Sequence, residues 1–299
     1  IQKNKAGVAF ILADPQASFV DTLLKTVYNN NPLAPVAVPH PEYFDKINME
    51  RAVQIYKEHF GDANGMQFAF VGSVDEATLK PLVEKYIGGL PATQKTFAFK
   101  DNGLRPAKGK VDLTVYKGEA EKSLILEMIS GETAYDQDLA LNMRAVSDVL
   151  NIRVIEELRE KIQGIYAGGT SANLEQYPYQ HFTFFAQLPT GPSTVDTLLK
   201  AMDAETTSIK TKGPSAENLN KVKQQMLEHN KVAMQQNGTW LNYILETRLE
   251  KKDADRFLNA AKYINGLTSQ SVQKAAQTIF SSGNIVTAIL QPSKKQDTK

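Results

Sequence analysis

The stretch that decides the fold is a charged helix end that meets a glycine and then an aromatic segment. It is Leu158-Arg159-Glu160-Lys161-Ile162-Gln163-Gly164-Ile165-Tyr166. Apolar residues recur at helical spacing through Leu158 among charged ones, which predicts an amphipathic helix over 153–161. Gly164 is expected to end this helix, because only glycine enters the left-handed backbone region at little cost. The aromatic residues that follow predict a strand beginning at Tyr166.

The composition is that of a globular protein with room for one large or two ordinary domains. The chain has 299 residues, of which 42% are hydrophobic and 22% charged. A net charge of +1 argues against a nucleic-acid or membrane-surface role. No apolar run has the length of a membrane span, roughly 18 residues. Because the sequence starts at Ile1 without Met or a signal peptide, we expect a segment of a longer protein.

The absence of cysteine excludes disulfides and thiolate zinc sites. It fits a periplasmic or secreted protein, and also a cytosolic one. The composition therefore leaves the compartment open.

Apolar periodicity predicts an α+β protein. Helices are expected at 49–60, 76–86 (capped by Ser73 or Asp75), 135–150, 153–161, 195–209, 216–236, 240–250 and 269–280. Strands are expected at 66–71, 111–116, 123–130, 166–174, 180–187 and 285–290. The polar stretch 92–109, with two glycines and a proline, is interpreted as an interdomain linker.

The sequence also suggests an internal repeat with an offset of 220 residues. At this offset Leu24 falls on Ile244 and Phe60 falls on Phe280, each phenylalanine ending a helix. One deletion later, the predicted buried strand 66–71 overlays the strand 285–290. The alternative is a chance alignment of two helix-helix-strand units. If the repeat is real, the two phenylalanines should occupy equivalent buried positions, and residues 1–91 are the end of one domain.

Neither candidate zinc motif is complete. Zinc hydrolases usually place two histidines on one helix face together with a carboxylate. The Glu-His pair at 58–59 would need a histidine where Ile55 stands, and the pair at 228–229 would need one where Gln225 stands. Surface or capping histidines are the better interpretation of His59 and His229.

Two further features bear on binding. The run 168–171, Gly-Gly-Thr-Ser, favours a bulge or close backbone approach over a phosphate site.

The aromatic residues of the following segment could line a peptide groove, although core packing is the commoner role; they are Tyr177, Tyr179, Phe182, Phe184 and Phe185.

Arg159 and Tyr166 remain as candidate site residues. In the structural interpretation, Arg159 pairs with Glu156 on the surface and Tyr166 is half-buried at a strand start. In the functional interpretation, the Arg fork and the phenol hydroxyl donate hydrogen bonds to a peptide backbone or a developing oxyanion.

This stretch resembles the pitrilysin/insulinase family of zinc metallopeptidases, and the resemblance spans almost the whole chain. The distal-half pattern Leu-Arg-x-x-x-x-Gly-x-Tyr is present at 158–166. Further similar stretches are Phe-Val-Gly-Ser-Val-Asp at 70–75, Leu-Val-Glu-Lys-Tyr-Ile-Gly-Gly-Leu-Pro at 82–91 and Asn-Gly-Thr-Trp-Leu at 237–241.

The resemblance implies repeated α+β domains, each with an antiparallel or mixed sheet packed against helices. Residues 1–91 would be the end of a third domain and residues 110–299 a complete fourth, joined by the linker. The family's zinc ligands and general base lie in its first domain, and no residue of this chain matches them. The segment is thus expected to hold no metal and no catalytic residue. The substrate-contacting roles fall to Arg159 and Tyr166, with the Tyr near the scissile carbonyl.

The sequence is therefore interpreted as the C-terminal, substrate-binding and chamber-closing part of a zinc metalloendopeptidase. Its expected partners are the N-terminal half, which would carry the zinc, and a peptide substrate. A scaffold or peptide-binding subunit of the same fold is the first alternative, and an unrelated α+β binding protein is the second. A periplasmic or other extracytoplasmic location is favoured, with the cytoplasm as the alternative.

Overall fold

The computed structural model describes residues 2–93, 99–165 and 167–293. Its α-helices are α1 (Gln2–Ala13), α2 (Pro15–Val27), α3 (Met49–Phe60), α4 (Glu76–Tyr86), α5 (Gln137–Arg153), α6 (Val195–Lys212), α7 (Ala216–Ala233), α8 (Asn237–Glu250), α9 (Asp255–Leu258), α10 (Ala260–Asn265) and α11 (Ser269–Phe280). Its strands are β1 (Lys110–Tyr116), β2 (Ser123–Glu132), β3 (Gly169–Glu175), β4 (His181–Thr190) and β5 (Asn284–Gln291). A π-helical segment, Val154–Lys161, continues α5.

The described residues fall into two compact units. The first contains those of Ile1–Pro41, Asp101–Met226 and Ala261–Lys299, and the second those of Glu42–Lys100 and Leu227–Ala260. Residues 94–98 of the predicted linker lie outside the described residues. Within the first unit, Ala107 is buried and donates its N–H to the Val27 carbonyl at 2.6 Å. The assignment of 1–91 and 110–299 to a third and a fourth family domain stays a prediction.

The first unit is built on one mixed sheet with the strand order β1-β5-β2-β4-β3. β1 and β5 run parallel, with Leu113 opposite Ala288. The other neighbouring strands run antiparallel, with Ile129 opposite Phe184 in the β2–β4 pair. The predicted fold class, a mixed sheet packed against helices, is confirmed.

Helices cover the two faces of this sheet. On one face, Phe19, Leu23 and Val27 of α2 pack into a core cluster with even-numbered residues of β2 such as Leu124. Successive strand residues point to opposite faces, so Ile129 and its neighbour Phe184 face the other way. There Phe184 meets Phe280 of α11 edge to face, with ring centroids 5.1 Å apart. β2 is therefore buried on both faces.

Helix caps agree with the sequence signals. Of the two candidates for the start of α4, Asp75 is the cap, and its carboxylate accepts the Thr78 N–H at 2.9 Å. Asp136 caps α5 in the same way at 2.8 Å. Thr268 and Ser271 form a capping box at the start of α11. Each cap accepts one of the N–H groups that a helix start leaves unpaired.

The predicted buried strand 66–71 is wrong. Among the described residues this stretch pairs with no strand, and Phe68 and Phe70 are half-exposed. The predicted equivalence of the two phenylalanines is also wrong, because Phe60 is 64% exposed whereas Phe280 packs on Phe184. An apolar run forms a strand only beside a partner strand, and periodicity alone cannot supply that partner. The internal repeat thus fails at both of these positions.

The turn between α6 and α7 should depend on Gly213. Its φ is +72°, and a Cβ there would lie 2.8 Å from the Ser269 Oγ and 3.0 Å from the Ser269 carbonyl oxygen. Gly109 provides a matched control, because its φ is +81° and a Cβ added to it would have no atom within 4 Å. We expect Gly109→Ala to lower the free energy of unfolding by about 1 kcal/mol, and Gly213→Ala by roughly 1–3 kcal/mol more.

Urea unfolding of both variants beside the parent chain measures this difference. Equal losses would mean that the close contact with Ser269 costs nothing and that only the backbone angle matters.

Candidate functional site

The segment that carries Arg159 is π-helical. The Ile162 N–H donates to the Glu157 carbonyl, five residues back, at 3.0 Å. Val154 and Leu158 are buried and fix one side of the segment in the core. π-Helical turns are rare and are frequent at functional sites. The sequence predicted a helix over 153–161, and the structure confirms a helical segment there with a wider winding than expected.

The end of this segment differs from the expectation at Gly164. Gln163 adopts the left-handed conformation, with φ +55°, and Gly164 does not. Gly164 is required for another reason, because a Cβ there would lie 2.8 Å from the Leu198 Cδ2. The Gly164 N–H donates to the Leu158 carbonyl at 3.0 Å. The prediction that Gly164 ends the helix by a left-handed backbone angle is therefore wrong, because Gln163, one residue earlier, has that angle. A glycine is needed at position 164 because Leu198 packs close to its Cα.

Arg153 forms the ion-pair network at the start of the π-helical segment. Its guanidinium donates to Glu156 at 2.9 Å, to Glu157 at 2.8 Å and to Glu205 of α6 at 2.9 and 3.0 Å. The hydrogen bond with Glu205 raises the pKa of Arg153. A hydrogen bond from Lys161 and the charge of Arg153 lower the pKa of Glu157.

This network was missed at the sequence level. Acidic residues three and four positions after Arg153 were a signal for it, because such pairs lie on one helix face. Glu205 could not have been found, because it is 52 residues away in the sequence.

Arg159 is exposed on the π-helical segment. Its side chain makes no hydrogen bond or ion pair with any residue in 2–93, 99–165 or 167–293. The expected structural pairing with Glu156 is not formed, since Glu156 bonds to Arg153 and lies 3.8 Å from Lys221. Within the described residues, the guanidinium is thus available to a ligand.

Tyr166, the second predicted site residue, lies outside the described residues. The chain before it is anchored, because Ile165 is buried and forms an antiparallel bridge with Thr190. The Thr190 hydroxyl donates to the Gly164 carbonyl. Strand β3 begins at Gly169, three residues after the expected start. The juxtaposition of Arg159 and Tyr166 stays a prediction.

The start of β3 is fixed to the end of α5. Asn151 accepts the Thr170 N–H at 2.6 Å and donates to the Thr170 carbonyl at 3.0 Å. A Cβ on Gly168 would lie 2.9 Å from the Gln187 carbonyl oxygen. This contact agrees with the predicted close backbone approach in the Gly-Gly-Thr-Ser run.

The aromatic residues of 177–185 divide between core and surface. Phe182 and Phe184 are fully buried. Tyr179 stacks on His181 with centroids 4.2 Å apart, and the Arg105 guanidinium lies 3.4 Å from its ring centroid. Burial raises the pKa of Tyr179 to about 12. Core packing and local stacking thus account for most of this set, and Tyr177 is left exposed.

The described residues offer no site for a metal ion. No group of three or more His, Asp or Glu side chains is gathered among them in an arrangement that could hold one. His40 contacts the Asp21 carboxylate at 3.2 Å, and His181 bonds to the Tyr179 carbonyl at 2.7 Å. Nor is any helix in the described part of the chain long and apolar enough to cross a bilayer.

Arg153 and Arg159 should differ in their effect on stability. Arg153→Gln leaves the half-buried Glu205 without its cation and removes one of the cations beside Glu156 and Glu157, so we expect a loss of about 1–3 kcal/mol in the free energy of unfolding. Arg159→Gln removes the same charge from an exposed position and should change it by less than about 0.5 kcal/mol. Urea unfolding of the two variants measures this, and similar losses would contradict the assigned difference.

Residues 46–226, more than half of the chain, match the model of a protein family described as the peptidase M16 inactive domain. No curated protein sequence matches the chain. Three similar solved structures share its fold at low sequence identity.

The first is the periplasmic protease PqqL from Escherichia coli, with a TM-score of 0.81 and 16% identity over 98% of this chain and 32% of that one. The second is a peptidase M16 inactive domain from Pseudomonas fluorescens, with a TM-score of 0.78 and 16% identity over 99% of this chain and 70% of that one. The third is a protease from Helicobacter pylori, with a TM-score of 0.75 and 14% identity over 97% of this chain and 71% of that one. This chain spans about a third of the length of PqqL.

Proposed function

The chain belongs to the pitrilysin/insulinase family of peptidases, peptidase M16, and from this premise we propose that it is the C-terminal, substrate-binding part of a zinc metalloendopeptidase. The observation that carries the proposal is the match of residues 46–226 to the family's inactive domain. The similarity of nearly the whole chain to a third of a much longer protease supports it. A partner half that carries the catalytic chemistry is part of this proposal.

The proposed division of labour leaves zinc to the other half. The described residues do not fit a zinc site, so no step of hydrolysis is assigned to them. In the complete enzyme, zinc would polarise the scissile carbonyl and activate water. This chain would contribute binding groups and close the chamber around a peptide.

Arg159 and Tyr166 are the proposed binding groups. The exposed Arg159 guanidinium has five N–H donors in a planar fork, suited to peptide carbonyls or a substrate carboxylate. Its neighbours Val154 and Leu158 are buried, so the segment that bears it is held by the core. Tyr166 is proposed to donate its hydroxyl to the oxygen of the scissile carbonyl.

The second candidate function is a non-catalytic scaffold or peptide-binding subunit of the same fold. The family description itself, an inactive domain, favours it. An upstream half with an intact His-x-x-Glu-His motif supports the enzyme, and its absence supports the scaffold. A periplasmic location is proposed from the fold similarity to a periplasmic protease, with the cytoplasm as the alternative.

We expect the isolated chain to bind no stoichiometric zinc and to hydrolyse no peptide. Elemental analysis after dialysis against zinc, together with a fluorogenic peptide assay, measures both properties. One zinc per chain that is lost in His59→Ala or His229→Ala would contradict the assignment of zinc to the other half.

In the complete enzyme, Tyr166→Phe should lower kcat about 10- to 1000-fold, because it removes one donor to the oxyanion. Arg159→Lys keeps the charge but loses the fork, so it should mainly raise KM. Steady-state kinetics of both variants measures the changes in kcat and KM, and their melting temperatures report any loss of stability. Activity near that of the parent in both, with only small stability losses, would favour the structural interpretation.

A further inference from the structure

The apolar stretch 66–71, which has no strand partner among the described residues, borders an open groove. The groove lies within the second unit and has a volume of about 490 Å³. Residues 66–70 form one of its sides, and residues of α8 such as Ile244 form the other. Phe68 is 47% exposed and Phe70 is 51% exposed. Two large aromatic side chains therefore lie beside the groove with about half of their surface uncovered.

The backbone of this stretch is also unpaired. The Met66 N–H donates to the Ala63 carbonyl at 3.0 Å, at the turn that precedes the stretch. From residue 67 to residue 71, no backbone N–H or C=O group forms a hydrogen bond with any described residue. A row of unpaired backbone donors and acceptors is what the edge of a sheet presents to a further strand. The stretch thus has the bonding capacity of a strand edge.

The second unit buries no apolar core within the described part of the chain. None of its hydrophobic side chains there is buried, whereas the first unit contains a large core. Helix α3 is an example, since Val53, Tyr56 and Phe60 share one face at helical spacing and all three are exposed. A compact unit normally has a hydrophobic core of its own. Exposed apolar side chains in this number indicate a surface that another polypeptide segment covers.

The apolar character of 66–71 favours a permanent partner over a transient ligand. An apolar strand edge that is uncovered between encounters with a ligand is an aggregation hazard. The relatives contain further polypeptide that could cover it, since this chain spans about a third of the length of PqqL. The first unit shows the arrangement that would result, which is a sheet packed against helices.

We propose that the edge 67–71 and the groove beside it bind a β-strand from the part of the enzyme that lies outside this chain. This inference rests on the proposed function, which assigns a second half to the enzyme. The strand pairs with the backbone of 67–71 and places apolar side chains in the groove, where Ile244 and Leu245 line the opposite side. The second half thereby supplies part of the core of the second unit, in addition to the zinc.

Amide hydrogen exchange of the complete enzyme and of this chain alone tests the proposal. We expect the amides of 67–71 to exchange rapidly in the chain alone, and at least alternate ones to slow by on the order of 100-fold in the complete enzyme. The Leu126 amide is the internal control, because β2 is paired on both sides and its amides should exchange slowly in both samples. Rapid exchange of all the amides of 67–71 in the complete enzyme would overturn the proposal.

Two other occupants give different results. Slow exchange in the chain alone that depends on its concentration would assign the edge to a second copy of the chain. Slow exchange only after a peptide substrate is added would assign it to the substrate, and either result overturns the proposal.

Zinc content and peptide hydrolysis, measured on the same samples, separate this inference from the proposed function. An active zinc enzyme in which the amides of 67–71 exchange rapidly would overturn this inference alone. Slow exchange in a complete protein that neither binds zinc nor hydrolyses peptides would contradict only the proposed catalytic role.

Variants locate the contact when the two halves are produced separately. Phe70→Lys should weaken their association about 10- to 100-fold, because burial of one phenylalanine contributes this much. Val232→Lys is the matched control, because Val232 of α7 is 50% exposed and lies outside the groove, and it should leave the association unchanged. Neither variant should lower the melting temperature of this chain alone, where both side chains are already half-exposed. Equal association constants for the two variants would show that the groove is not the interface.

Discussion

The burial of β2 on both faces is the constraint on which the first unit depends. Leu124, Ile125 and Leu126 are consecutive in a strand and point alternately to opposite faces, yet each is at most 6% exposed. One face must therefore be covered by α2, and the other by the helices that include α11. Because α2 and α11 come from opposite ends of the chain, the sheet packs distant segments against its two faces.

The same core fixes the segment that bears Arg159. Val154 and Leu158 are buried, while Arg153 ties the start of the segment to α6 through Glu205. A side chain presented by a supported helical element is positioned more closely than one on a loop. Arg153 thus links the segment to α6, whereas Arg159 is exposed to solvent, although both arginines lie on one continuous helix.

Much of the secondary structure of both units could be predicted from the sequence, since most of the helices and strands carry their own apolar period. Helices 49–60, 76–86 and 269–280 were predicted at their observed bounds, because capping residues mark their starts. The stretch 66–71 is as apolar as a buried strand, but it forms no strand with any of the described residues. Strand formation depends on a partner, and the local sequence contains no information about one.

The candidate site was predictable in part. Arg159 is a candidate because it belongs to a motif; the structure adds that it is exposed, and its binding role stays a prediction. The π-helical winding and the Arg153–Glu205 pair depend on tertiary packing, and so does the contact of Gly164 with Leu198. Gly164 illustrates this limit. A glycine can be required by its backbone angle or by a close neighbouring side chain, and the sequence alone does not tell which of the two applies.

The central claim, that this chain completes a peptidase whose zinc is in another half, can be tested by producing the two halves as separate polypeptides. Peptide hydrolysis is measured for each half alone and for the two together. We expect zinc in the N-terminal half only, and hydrolysis only when both are present. Full activity of the N-terminal half by itself, or an inactive mixture in which zinc is absent from both halves, would contradict the account.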